Sequence, residues 1–85
     1  MKLRVAITGS SGYLGQELMT RLSSDPDCEF LLGMDIRRQE LALPCPAEFL
    51  QFDLTSPWEQ LKESWTKRRI NAGVHLAWPT RHFGQ

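Results

Sequence analysis

The sequence predicts an α/β chain in which four parallel strands, in spatial order 3-2-1-4 with helices on both faces, form part of a doubly wound sheet. Three observations carry that prediction. Short apolar runs alternate with helical patterns along the 85 residues. The first run, residues 3–7, passes directly into a turn with glycines at positions 9, 12 and 15. An aspartate, Asp35, closes the second run about 20 residues beyond that turn.

Residues 3–7 are mostly apolar and only partly alternating, as suits a short strand buried on both faces of a parallel sheet. From Tyr13 onward Leu14, Leu18 and Leu22 recur every fourth residue with Met19 beside them, which predicts a helix with one apolar face. Ser23-Ser24-Asp25-Pro26-Asp27 ends it with turn formers and a proline. Residues 29–35 form the second strand and complete a β-α-β unit. Pro44 and Pro46 exclude a central strand at residues 41–47, and residues 48–52 give a brief third strand ending at Asp53-Leu54. Ser56-Pro57-Trp58-Glu59 is a helix start: Ser56 caps, Pro57 takes the first helical position and Glu59 closes a capping box. Trp58, Leu61 and Trp65 fall on one stripe, read as packing against the sheet rather than as a ligand platform. Residues 72–77 make the fourth strand.

Composition narrows the function. One domain of this length buries somewhat over ~60% of its unfolded surface, so the core is small. Ten basic and ten acidic residues give zero formal charge, which argues against nucleic acid as a partner. The one basic run, Lys67-Arg68-Arg69, lies where a helix end is expected and is read as complementing its dipole. No apolar run reaches the ~20 residues of a membrane span and no signal-peptide pattern is present, so a cytoplasmic protein is expected. Cys28 and Cys45 have neither disulfide-framework nor zinc-site spacing and are read as free thiols.

The glycine turn carries the chemistry. A helix starting there presents unpaired N–H groups and the positive end of its dipole to the turn, where an anion is the natural occupant. A P-loop needs Gly-Lys at the positions that hold Leu14-Gly15, so a nucleoside triphosphate site of that type fails. A glycine turn without any ligand is the competing reading. In dinucleotide-binding turns one glycine permits the tight turn, one lets the backbone approach a pyrophosphate and one allows helix and strand to pack closely. The backbone of Ser10, Ser11, Tyr13 and Leu14 together with Gly9, Gly12 and Gly15 would then hold the pyrophosphate, and Asp35 would accept the adenosine ribose hydroxyls. Asp35 would repel the 2′-phosphate of NADP, so NAD is preferred, with Arg37 and Arg38 read as solvated loop charges rather than as a phosphate site.

Thr8-Gly-x-x-Gly-x-x-Gly15, opening directly after an N-terminal strand, resembles the extended short-chain dehydrogenase/reductase family, and within it the NAD-dependent epimerase/dehydratase group. The resemblance covers residues 2–77, the opening third or so of a typical family member. It implies a role for Asp53 and the backbone of Leu54 along the adenine, with simple turn capping by Asp53 the alternative. It also implies that the backbone of His75-Leu76-Ala77 lines the cofactor, with His75 structural and Ala77 near the sugar. Trp78-Pro79 stands where the family has small residues, so residues 78–85 read as a divergent or truncated tail.

Family chemistry rests on a Tyr-x-x-x-Lys pair. Tyr13 is the only tyrosine here and Glu17 stands four residues later, so no catalytic residue is assigned. The resemblance therefore implies the NAD-binding part of an oxidoreductase or isomerase whose complete form acts on a nucleotide sugar or related substrate. A non-catalytic dinucleotide-sensing module and an inactive truncated product are the alternatives, and oligomer formation is left open.

Overall fold

A computed structural model of the chain describes residues 2–37, 41–53 and 58–76. Leu54, Ser56, Pro57, Ala77 and residues 78–85 lie outside them, as does the Trp58 side chain. The elements run β1 (Leu3–Thr8), α1 (Tyr13–Ser23), β2 (Cys28–Asp35), β3 (Ala47–Gln51), α2 (Trp58–Lys67) and β4 (Ala72–His75). Every pairing is parallel and the strand order is β3-β2-β1-β4, the order expected from the sequence.

The two faces of the sheet are filled by alternate residues. Val5, Ile7, Leu31 and Phe49 share one apolar cluster with Met19 of α1. Ala6, Leu32 and Met34 form the other, with Leu61 and Trp65 of α2 packed against it. The helices thus cover opposite faces, which is why β1 and β2 read as nearly continuous apolar runs. No described helix is long and apolar enough to cross a membrane.

The inward face of α1 differs from the sequence expectation. Gly15, Met19 and Ser23 are its buried positions, Leu18 and Leu22 flank them, and Leu14 is 66% exposed. The reason is steric: the start of the helix lies so close to the turn that only a glycine fits beneath it. A Cβ on Gly15 would collide with the Gly9 carbonyl oxygen and stand 2.7 Å from the Ser10 Cα. The helix consequently rotates its first leucine outward.

The second crossover is held by three local devices. Trp65 lies against Gly73 of β4, where a Cβ would come within 2.6 Å of the indole ring. The end of α2 has the hydrogen bonds of a Schellman motif, from Ile70 N–H to the Trp65 carbonyl at 2.9 Å and from Arg69 N–H to the Thr66 carbonyl at 3.1 Å, with Arg69 at φ 57°. Asn71 then joins β4 to β1, accepting the Arg4 N–H and donating to the Lys2 carbonyl, both at 2.9 Å.

The basic run divides its tasks. Lys67 occupies the last turn of α2, as the dipole argument expects. Arg68 instead reaches β3, donating through Nε and Nη2 to the two carboxylate oxygens of Glu48 at 2.9 and 2.6 Å. Arg4, half-buried, donates to Glu29 and to the Arg68 carbonyl, both at 2.9 Å, and stacks over Phe30.

Candidate functional site

Strand order fixes where a ligand can enter. The chain moves from β1 outward to β2 and β3, then returns to the other side of β1 for β4, so a topological switch point lies between β1 and β4 at their carboxyl ends. The registers Thr8↔Met34, Asp35↔Gln51 and Thr8↔His75 bring the ends of all four strands to that one edge.

The glycine turn hangs over it. Gly9 and Ser10 both donate their backbone N–H to the Met34 carbonyl, at 2.7 and 3.3 Å, and Gly12 N–H donates back to the Gly9 carbonyl at 3.2 Å. Gln16 braces the turn from α1 by donating Nε2 to the Ser11 carbonyl at 2.7 Å. Ser10 is buried. Its hydroxyl sits above Gly33 of β2, where a Cβ would come within 2.8 Å of that oxygen and 2.9 Å of the Phe49 ring.

The three glycines of the turn answer to different constraints. Gly9 has φ 81°, a left-handed conformation that strains other residues. Gly15 is demanded by packing, as described above. Gly12 is demanded by neither: its φ of −73° and ψ of 168° suit any residue, and among the described residues an added Cβ would meet only the Gly9 carbonyl oxygen, at an ordinary 3.5 Å. Gly12 is also the N-cap of α1 and supplies no side-chain hydrogen bond to the first helical N–H groups. Tyr13, 83% exposed, and Leu14 begin the helix at the solvent boundary.

Asp35 stands beside this turn. Its carboxylate accepts the Ser11 N–H at 3.1 Å and the Arg37 N–H at 3.2 Å. Burial pushes its pKa up, but hydrogen bonds from the Ser11 hydroxyl and from the N–H groups of Arg37, Ser11 and Ile36 outweigh that and hold it below the ordinary aspartate value. The group is therefore an anion at neutral pH. Arg38 lies outside the described residues.

Asp53 is exposed just beyond β3, next to Phe52, whose N–H donates to the Asp35 carbonyl at 2.7 Å. The end of β3 is thereby tied to the end of β2. Leu54 and Ala77, assigned to the cofactor from the sequence, lie outside the described residues. His75 shares a 2.6 Å hydrogen bond between its Nδ1 and Oγ1 of the buried Thr8, joining β4 to β1 at the switch point.

Two site residues escaped the sequence reading. Gly33 had a legible signal, because a glycine inside an apolar strand marks a close approach of other atoms. Gln16 had none, since a glutamine on an exposed helical turn has no distinguishing pattern. Among the described residues no group of three or more His, Cys, Asp or Glu could hold a metal ion. No known protein-family model and no curated protein matches the chain.

Proposed function

We propose that the chain binds an NAD-type dinucleotide across the carboxyl edge of its sheet, as the cofactor-binding segment of an oxidoreductase or isomerase of the epimerase/dehydratase kind. The observation that carries this reading is Gly12. Its neighbours Gly9 and Gly15 are required by the fold itself, whereas among the described residues a Gly12 side chain would meet only the Gly9 carbonyl oxygen, at an ordinary contact distance. A pyrophosphate approaching the α1 N-terminus would need that space, and the uncapped first-turn N–H groups suit its charge.

Asp35 extends the argument to the adenosine. A carboxylate one strand away and hydrogen-bonded to Ser11 supports a role as acceptor of ribose hydroxyls, and its negative charge would disfavour a 2′-phosphate. NAD is accordingly the preferred cofactor over NADP. Asp53 and the backbone of Leu54 would follow along the adenine, with Ala77 near the sugar. A nucleotide sugar or related molecule is the substrate class proposed for the complete activity.

A second reading is a dinucleotide-binding module without catalysis. It shares the same site, and in the residues present Tyr13, at the exposed start of α1 with Glu17 four residues later, offers no acid/base pair of the family type. Calorimetric titration of NAD into the full chain tests the shared core of both readings. Saturable binding, weakened at least 10-fold by Gly12→Ala in a protein that still folds, is the expected result, and absence of binding to the folded chain overturns both. Hydride transfer measured with NAD and a panel of nucleotide sugars then separates them.

A further inference from the structure

Cys28 and Cys45 are distant in sequence and adjacent in the fold. Cys28 begins β2 and belongs to the apolar cluster on the α1 side of the sheet; Cys45, half-buried, packs against that same cluster. An irregularity of the β1–β2 ladder brings this about. Leu3 pairs with Cys28 but Arg4 pairs with Phe30, and the skipped residue turns Cys28 onto the face that Leu31 also occupies. On the other side Leu31 pairs with Ala47 and donates its N–H to the Pro46 carbonyl at 3.1 Å. Cys45 stands two residues before Ala47, just ahead of the ladder, where its side chain is within hydrogen-bonding reach of the Cys28 thiol. Two thiols that share a hydrogen bond and pack against one apolar cluster need little movement to reach disulfide geometry.

We propose that Cys28 and Cys45 are a reversible redox pair, closing to an intramolecular disulfide that fastens the segment before β3 to the base of β2 under a peroxide oxidant. This inference is independent of the cofactor reading.

The order of events follows from access. The Cys45 sulfur, the more accessible of the two, attacks one peroxide oxygen as thiolate. The O–O bond breaks, leaving Cys45 as a sulfenic acid, and the departing hydroxide takes up the thiol proton to become water. The Cys28 sulfur then attacks the Cys45 sulfur and expels the second oxygen as hydroxide, which becomes water with the Cys28 proton. The sulfur pair loses two electrons and the peroxide gains them. Burial, and then the neighbouring Cys45, push the Cys28 thiol up, which together with its burial disfavours Cys28 as the first attacker.

The test uses the full chain, reduced, freed of reductant and exposed to stoichiometric hydrogen peroxide at neutral pH. Thiol titration after denaturation should show both thiols lost together. Intact mass should fall by two hydrogens with no added oxygen, peptide mapping should join the segments containing residues 28 and 45 within one chain, and dithiothreitol should reverse all three changes. Cys45→Ser should leave the Cys28 thiol titratable after the same exposure. Retention of both thiols, oxygen addition without a crosslink, or a crosslink only between two chains would each overturn the proposal, and these readouts on the unsubstituted chain decide it even if the variant fails to fold.

Discussion

The Asp35 carboxylate accepts the Ser11 backbone N–H at 3.1 Å, joining the acidic end of β2 to the glycine turn across the strand boundary. A change at Asp35 would thus act on the proposed ribose contact and on the turn together, and the two effects have to be separated by the choice of ligand. On the proposed reading Asp35→Ala should remove a charge-assisted acceptor worth about 1.5–3 kcal/mol to NAD, a loss of roughly 10- to 100-fold in affinity. NADP binding should hold or improve, because the carboxylate no longer repels the 2′-phosphate. Calorimetry with both cofactors and both proteins checks this. Equal losses would mean a damaged turn, and no loss for NAD would make Asp35 a turn residue only.

Gly12 and Gly15 should separate binding from folding. Gly12→Ala places a methyl group in ordinary contact in an allowed conformation, so urea unfolding should show a change under about 1 kcal/mol, while NAD affinity falls at least 10-fold. Gly15→Ala drives a methyl group into the Gly9 and Ser10 backbone and should destabilise the chain by about 1–3 kcal/mol or more. If Gly12→Ala unfolds the protein, or binds NAD as well as the original, Gly12 loses its proposed role.

Acid should reveal the Asp35 hydrogen bonds. Its folded pKa is lowered, so between that value and the ordinary one near ~3.9 the unfolded chain binds more protons than the folded. Stability from this group is fully present above the ordinary value and is lost as pH falls through the folded value. Urea midpoints measured from pH 7 down to about pH 2 should therefore differ between the original chain and Asp35→Asn at neutral pH and converge toward the acid end. A constant difference at every pH would contradict the assignment.

Arg69 offers a gain. It holds the left-handed position of the α2 Schellman motif at φ 57°, where a glycine carries no Cβ penalty. Arg69→Gly should stabilise the chain by roughly 0.5–1 kcal/mol, after allowing for the greater freedom glycine has in the unfolded state. Thermal melting should rise by a few degrees, and a fall would mean the arginine side chain contributes more than its backbone strain removes.

The strands were legible in the sequence because the central pair, β1 and β2, is largely buried and each strand stands out as a short apolar run, with turn formers between. Asp35 was legible for the same reason, being the polar residue that ends such a run. The facing of α1 was not, since Leu14, Leu18 and Leu22 make a regular stripe and only the contact of Gly15 with Gly9 and Ser10 turns Leu14 outward. Ser10 as a buried side chain was equally hidden, because it depends on the missing side chain of Gly33, which belongs to another element. Nearness of Cys28 to Cys45 depended on a ladder irregularity that no pattern of residue types encodes.

The indole of Trp65 against Gly73 also settles an ambiguity of alignment. A four-residue strand such as β4 could slide two positions along β1 and still present alternate residues to the same faces. The slid arrangements would bring Asn71 or His75 beneath the ring in place of Gly73, and neither offers the bare backbone on which the ring rests at less than a Cβ's clearance. One tryptophan and one glycine therefore act as a key and its notch. They select a single alignment of β4 and so determine which residue, His75, stands level with Thr8 at the mouth of the sheet.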